Sequence, residues 1–473
     1  MTYEEYLDTH TREMTEALTS LISVRSVREG AQEGFPFGKG PAEALKVALS
    51  IAKRLGLSVH NHENYVGTVD MNDSDTKLGI LAHLDVVGEG SGWSFDPYAG
   101  TVEDGRIYGR GASDDKGPAV AALFAMAAVQ AAGVPLHSNV RLILGTDEES
   151  GSSDIDYYFK KETPPPHLFT PDGQFPVVNT EKGRVQASFF ASFPKSEAPR
   201  IVSASGGFRI NVVPGEAQAR IEGLPLETVH WHCREAQRRT GARFVCEVQG
   251  DTIVVGVTGT GGHAARPEKA NNAVTALLDF LSALPLHESE AFSAVRGLNR
   301  LFPHGDWPGR AAGVAMHDEI SGDLTISLDT FELTPEHLEG WFDSRTPLCA
   351  NEDNTLGALY PAFTENGLTL ERRGYTPAHH TPGDSPFVRT LLRAYEKYTC
   401  CEGKCLSTGG GTYVHNIDGG VCFGCTMPGQ EYNVHGADEF VIVSQLVTSA
   451  KIFAGVIVEL CGIARNGCMK NSL

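Results

Sequence analysis

The chain has 473 residues, with 39 Lys plus Arg against 59 Asp plus Glu, a formal net charge of −20 at pH 7. That length suits two domains, or one domain carrying a large insertion, with ample core in either case. Such acidity disfavours binding to phosphate backbones, so nucleic acid is not an expected partner.

The opening segment, MTYEEYLDTHTREMTEALTSLISV, is acidic and amphipathic and reads as a surface helix. It lacks the basic patch, apolar core and small-residue cleavage site of a secretory signal. Short apolar strand candidates follow (LGILAHLDVV, NVRLILGTDE, HLFTPD), alternating with helical patterns such as PAVAALFAMAAVQAAG. Alternation of this kind predicts an α/β domain built on a mostly parallel sheet. From residue 184 to 377 the pattern changes to strand-like runs (VQASFFASF, EAQARIEGL, RFVCEVQG, DTIVVGVTG, LTISLDTFEL) separated by helical ones. That mixture predicts an α+β domain on an antiparallel sheet. Residues 378–473 return to a helix, a glycine loop (STGGGTY), a buried strand (VCFGCTM) and a long closing helix. We therefore expect one catalytic domain from 1–183 and 378–473, interrupted by an inserted domain at 184–377.

The longest apolar stretch, Leu446 to Cys461, is interrupted by Thr448, Ser449, Lys451 and Glu459. It falls short of a bilayer span, so neither a transmembrane segment nor a membrane partner is expected. Ten cysteines without an export signal predict reduced thiols and a cytoplasmic location. Cys422 and Cys425 have redox or zinc spacing but sit in an apolar run without a second pair. We read them, like Cys400, Cys401 and Cys405, as structural.

The chemistry-bearing residues stand where strands run out into polar loops. They are His83 and Asp85 in LAHLDVV, Asp114 in GRGASDDKGP, Glu148 and Glu149 in LILGTDEES, Asp172 in FTPDG, and His435 in NVHGADE. Carboxylates and imidazoles are the ligands of divalent metals where sulfur is absent, and α/β sheets gather ligands at the carboxyl ends of strands. Seven such groups suggest a two-metal hydrolase. His83 and Asp85, two apart, share one face of a strand end, where a carboxylate fixes an imidazole tautomer. Glu148 and Glu149 leave an extended chain on opposite sides, so one is placed to ligate and the other to address water. Each motif alone has a plain reading: a chance triplet, a polar turn before a helix, a solvated strand end, an Asx turn. Their order and context together favour the metal site.

Taken together, HLDVV, GWSFDPYAGTVEDGRIYGRGASDDKGP, GTDEES, PDG and the late His435 resemble the co-catalytic zinc metallopeptidases that include aminoacylase, carboxypeptidase G, succinyl-diaminopimelate desuccinylase and carnosinase. The DIDYYFK stretch after the EE pair and the GGGTY loop are most similar to bacterial Xaa-dipeptidases of the PepV type. The resemblance runs over essentially the whole chain.

It implies that Asp114 bridges two divalent ions, zinc first with manganese or cobalt as alternatives. His83 and Asp172 would complete one site, and Glu149 and His435 the other. Asp85 would orient His83, and Glu148 would be the general base. The bond between Asp114 and Asp115 would be cis. In the insertion, His263 in VTGTGGHAARPEKANNAV resembles a histidine that donates to the oxyanion, although Ala264 stands where Gly is common and Arg266 precedes Pro267. Asn211 in FRINVVP and Arg345 in WFDSRTP would hold the substrate's terminal carboxylate, beside backbone donors of Ser407–Gly411 (Gly409, Gly410 and Gly411). An insertion of roughly 195 residues is an ordinary domain size and resembles that of monomeric members, which supply the histidine in cis. The expected activity is hydrolysis of unblocked dipeptides. Deacylation of N-acyl amino acids is the alternative, and a non-catalytic scaffold the second alternative.

Overall fold

The computed structural model describes residues 1–371 and 374–463. The chain divides into two compact units. The first comprises Met1–Thr180, His380–Leu406 and the chain from Gly411; the second comprises Glu181–His379 and Ser407–Gly410.

In the first unit the sheet runs in the order Ser58–His62, Val66–Asp70, Asn139–Gly145, Thr76–His83, His167–Thr170, Val421–Cys422, Val177–Glu181. Pairing is parallel among the four strands from Asn139–Gly145 to Val421–Cys422, and antiparallel on both flanks. The expected mostly parallel sheet is thus parallel at its centre and mixed as a whole. The central strands are near-continuous apolar runs because both faces are covered. Leu78, Ile80 and Ala82 enter one core with Leu142 and Leu144, while Leu81 and Ile143 enter a second with Ile155, Tyr158 and Val414.

The helix Lys116–Ala131 is buried along nearly its whole length, which its all-round apolar sequence requires. Against it packs the closing helix Val443–Cys461. At 19 residues this helix begins earlier than the apolar stretch read from the sequence, and it is long and apolar enough to cross a bilayer. Half of it is buried inside the unit. The N-terminal segment forms two helices, Tyr3–Thr9 and Thr11–Ile22. A capping box between Thr2 and Glu5 starts the first, and the second buries Met14, Ala17, Leu18, Leu21 and Ile22 along one stripe. The nine cysteines among the described residues are all free thiols.

The second unit is built on an antiparallel sheet whose core strands are Glu216–Glu222, Arg200–Gly206, Thr325–Leu333, His337–Thr346 and Gly183–Ser192. Alternation is clean: Ala217, Ala219 and Ile221 point inward while their neighbours face away. The inward residues pack beneath helices that include Leu226–Thr240, Ala273–Ser282, Glu290–Leu301 and Leu356–Glu365. The opposite face of the Gly183–Ser192 and His337–Thr346 pair carries polar and charged side chains.

Phe453 of the closing helix meets Phe169, Phe175 and Phe423 at ring-centroid distances of 5.3, 6.2 and 6.0 Å. Replacing it with Ala should cost about 3–5 kcal/mol and lower the thermal midpoint. Trp231→Ala, at a site 52% exposed, should leave the midpoint unchanged in the same scan.

Candidate metal centre

Three strand ends of the first unit deliver the ligand candidates. His83 closes the Thr76–His83 strand, Asp172 follows His167–Thr170, and Glu148 and Glu149 follow Asn139–Gly145 on a short 3-10 turn, Glu148–Ser150. Asp114 precedes the helix Lys116–Ala131, and the bond from Asp114 to Asp115 is cis. His435 comes from the loop before the closing helix and holds a left-handed φ of 61°, a conformation that non-glycine residues rarely adopt.

These side chains form two donor groups that share Asp114: His83, Asp114 and Asp172, and Asp114, Glu149 and His435. His83 Nε2 lies 3.0 Å from Asp114 Oδ1 and 3.7 Å from Asp172 Oδ2. His435 Nε2 lies 3.0 Å from Asp114 Oδ2 and 3.0 Å from Glu149 Oε1. Each oxygen of Asp114 therefore serves a different group. Around a tetrahedral ion with bonds near 2.0–2.1 Å, neighbouring ligand atoms stand ~3.3 Å apart, so both groups fit a divalent cation by spacing as well as by donor type. A dinuclear metal-binding site is present.

The surrounding residues orient these ligands. His83 Nδ1 is 3.0 Å from the Asp85 carbonyl and 3.5 Å from its carboxylate, so the proton of the neutral ring sits on Nδ1 and Nε2 turns its lone pair to the site. The Asp85 carboxylate also accepts the N–H groups of Glu148 and Glu149, at 3.1 Å each. Asp85 thus caps the turn carrying both glutamates, beyond the His83 role expected of it. Asp154, in the DIDYYFK stretch, accepts the N–H groups of Thr146 (2.6 Å) and Asp147 (3.0 Å) and the Tyr413 hydroxyl (2.5 Å). Gly145 is needed there, because a Cβ would stand 2.0 Å from that hydroxyl.

Sequence reasoning missed a buried ion pair, Arg110 with Glu439, 1% and 0% exposed and 2.6 Å apart. Glu439 also accepts the N–H groups of Gly111 (3.2 Å), Ser113 (3.0 Å) and Asp114 (3.2 Å). Arg110 Nη2 donates to the carbonyls of Gly88 and Glu89 (3.4 Å each) and of Gly436 (3.1 Å). One pair thus ties together the loops that follow His83, precede Asp114 and follow His435. Both residues lie inside quoted motifs, but their separation of 329 positions leaves no local signal of pairing.

Crowded acids shift one another. Burial first and then the charge of Asp114 push Asp172 up to about 7. Burial likewise drives Glu148 well above the ordinary carboxyl range, with Asp172, Glu149 and Asp114 adding to it and His83 opposing. Asp114 is held low: burial would raise it, but hydrogen bonds from His435 and His83 prevail. Burial would lower His435, but hydrogen bonds to Asp114 and Glu149 carry it up to about 11.

In the second unit, Asn211 holds a φ of 71° and donates its N–H to Asp329 Oδ2 at 2.8 Å. Asp329 sits at a bulge between Leu328 and Thr330, which re-aims its side chain. The Asn211 carbonyl accepts the Ala264 N–H, and Val212 pairs with His263. His263 is exposed, and its Nδ1 accepts the Ala265 N–H at 3.0 Å, which places the proton of the neutral ring on Nε2. Arg345 is 5% exposed. Its Nε and Nη2 grip Asp343 at 2.6 and 3.0 Å, and its Nη1 donates to the Gly409 carbonyl at 2.7 Å. A Cβ on Gly409 would lie 3.0 Å from Ala265 Cβ, so the glycine segment also abuts the His263 loop. Gly410 donates to Thr408 Oγ1, while Gly411 belongs to the first unit.

Two outcomes follow from this geometry. Glu439→Gln removes the charge opposite Arg110 and weakens the grip on the Asp114 loop, so metal affinity should fall about 10–100-fold in a calorimetric titration. Metal loading should also release protons, because Asp172 and His435 hold them near neutral pH in the metal-free protein and ligate only without them. Affinity should therefore rise with pH, and the apparent binding enthalpy should change between buffers of different ionisation enthalpy.

The model of peptidase family M20/M25/M40 matches residues 79–459. A Beta-Ala-Xaa dipeptidase from Lactobacillus delbrueckii subsp. lactis is 33% identical over 474 residues, covering 96% of this chain and 99% of that protein. Among solved structures, human carnosine dipeptidase 1 aligns with a TM-score of 0.59 at 16% identity, covering 97% of this chain and 98% of that one. The aminoacylhistidine dipeptidase from Vibrio alginolyticus aligns with a TM-score of 0.57 at 11% identity, covering 95% and 96%. These two likenesses concern the fold. With a matching family model and a dinuclear donor set, the chain belongs to peptidase family M20/M25/M40 and is a metal-dependent peptidase.

Proposed function

We propose that this metal-dependent peptidase of small peptides is a dipeptidase of the PepV type, which hydrolyses the peptide bond of unblocked dipeptides. The observation that carries the reading is the pair of donor groups sharing Asp114, with Glu148 on the same capped turn as Glu149. The 33% identity to a dipeptidase over nearly the whole of both chains supports the substrate class.

His83, Asp114 and Asp172 would hold one ion, and Asp114, Glu149 and His435 the other, with zinc the first choice and manganese or cobalt compatible with these nitrogen and oxygen donors. When bound, the two ions lower the pKa of a water and polarise a carbonyl. Glu148 takes a proton from the attacking water and delivers it to the leaving amine; its raised pKa suits it to both steps. His263 donates from Nε2 to the developing oxyanion, and the Ala265 N–H on Nδ1 keeps the ring in that tautomer. Asn211, Arg345 and Gly409–Gly411 recognise the substrate's terminal carboxylate. The chain works as a monomer, for which light scattering should give a single-chain mass near 50.8 kDa.

The test is release of free amino acids from unblocked dipeptides, including β-alanyl ones, compared with the N-acetyl forms, by metal-reconstituted protein. Wild type should cut the free dipeptides, and Glu148→Gln should still bind two ions while losing about three or more orders of magnitude in kcat. Preference for N-acyl amino acids over free dipeptides would move the reading to a deacylase. Chelation should abolish activity and added zinc, manganese or cobalt restore it.

A further inference from the structure

Among the described residues, the polar face of the second unit's sheet holds a cation without an ion-pair partner of its own. Along Gly183–Ser192, Val185, Ala187 and Phe189 enter the core, so Arg184, Gln186 and Ser188 project from the other face. On the antiparallel neighbour His337–Thr346, Leu338 and Phe342 enter the core, leaving Trp341, Asp343 and Arg345 on that same outer face. The register sets Arg345 directly opposite Arg184, and Asp343 opposite Gln186.

Asp343 is the acid of this face nearest the two arginines, and Arg345 takes it. Both Asp343 oxygens are held by the Arg345 fork, and Gln186 Nε2 donates to the second of them at 2.5 Å. The remaining terminal nitrogen of Arg345 is on the Gly409 carbonyl. Arg345 keeps two N–H groups, but its edge of Nε and Nη2 is occupied and its charge is offset by Asp343. Among the described residues the Arg184 guanidinium makes no hydrogen bond or ion pair, and the residue is exposed. The charges that act on it are Arg345, directly opposite, and Asp343, which opposes Arg345.

Like charges directly opposite one another on a sheet destabilise it. In a chain of net charge −20, such a pair, whose one nearby acid Asp343 is taken by Arg345, marks a place where an anion completes the balance. Polar capacity lies close by. Thr325, opposite Arg345 on the next strand, has a buried Oγ1 without a hydrogen-bond partner, as does Ser407 in the glycine segment that Arg345 holds. A carboxylate suits this setting: it is planar, singly charged and able to accept from a guanidinium and from hydroxyls together.

We propose that Arg184 is a specificity residue that supplies the free positive charge for the terminal carboxylate of the substrate, while Arg345, locked on Asp343, positions the glycine segment and offers only its remaining N–H groups. The proposal rests on the dipeptidase reading, which requires a free carboxylate in the substrate.

The experiment compares kcat and KM for one dipeptide and for the same dipeptide with its carboxyl end as the amide, using wild type, Arg184→Ala and Arg184→Lys, all metal-loaded. Wild type should prefer the acid. In Arg184→Ala the acid-to-amide ratio of kcat/KM should fall about tenfold or more, through KM, and Arg184→Lys should recover part of it. Metal content and thermal midpoint of each variant separate this from misfolding. An Arg184→Ala ratio equal to that of wild type overturns the assignment to Arg184 and leaves the dipeptidase reading standing. A wild type that cuts acid and amide equally removes the dipeptidase reading, and the proposal with it.

Discussion

The structure turns on one carboxylate, Asp114, whose two oxygens each approach a different imidazole. Everything around it follows from the cost of gathering acids in one place. Glu148, Glu149 and Asp172 converge on the same spot, and Asp115 is buried beside them with its carboxyl driven well above the ordinary range by burial and by Asp172. Water would pull such groups apart, so the backbone must be held by contacts stronger than their repulsion. The chain uses further buried carboxylates as fasteners. Asp85 holds the Glu148–Glu149 turn, Asp154 holds the residues just before it, and Glu439 holds the Asp114 loop, each by accepting backbone N–H groups. Charge-assisted hydrogen bonds of this type are the strong ones, and they fix direction as well as distance. Arg110 offsets one fastener, and the Tyr413 hydroxyl shares another.

The second unit applies the same device to its proposed recognition residues. A carboxylate at a sheet bulge, Asp329, pins the left-handed backbone of Asn211, and burial followed by the field of Asp343 lifts it to about 8 despite that hydrogen bond. The Asn211 segment in turn pairs with the His263 segment, and a backbone N–H selects the His263 tautomer. Asp343 fixes the Arg345 fork, and Arg345 fixes Gly409. Asn211, His263 and Arg345, the candidates for facing a ligand, are therefore each held by another residue whose role is positional.

The metal ligands were legible in the sequence because each has its own short motif, and because His83, Glu149 and Asp172 stand at or just past strand ends, which α/β sheets expose together; Asp114, before a helix, and His435, in a loop, do not share that placement. The strands around them were legible where burial on both faces made them apolar, as in LGILAHLDVV. Strands with one polar face were legible where alternation was clean, as in EAQARIEGL, and not elsewhere. His337–Thr346 pairs along ten positions with Gly183–Ser192, yet its outer face of Trp341, Asp343 and Arg345 hides the apolar alternation. Ser58–His62 is a polar edge strand, and it and Val66–Asp70 add an antiparallel flank that periodicity did not reveal. The fasteners were hidden for another reason. Glu439 and Arg110, or Asp154 and Tyr413, meet across 329 and 259 positions, and a lone acid in a loop looks the same whether it is solvated or buried. Arg345 was visible as an arginine, but its partner two residues earlier did not announce that the fork was taken.

The most direct measurement of the central claim is anomalous diffraction from crystals of the metal-loaded protein, recorded on either side of the zinc or manganese absorption edge. Two peaks should flank Asp114 about 3.5–4 Å apart, one beside His83 and Asp172 and the other beside Glu149 and His435. A single peak, or two ions that do not share Asp114, would contradict the account.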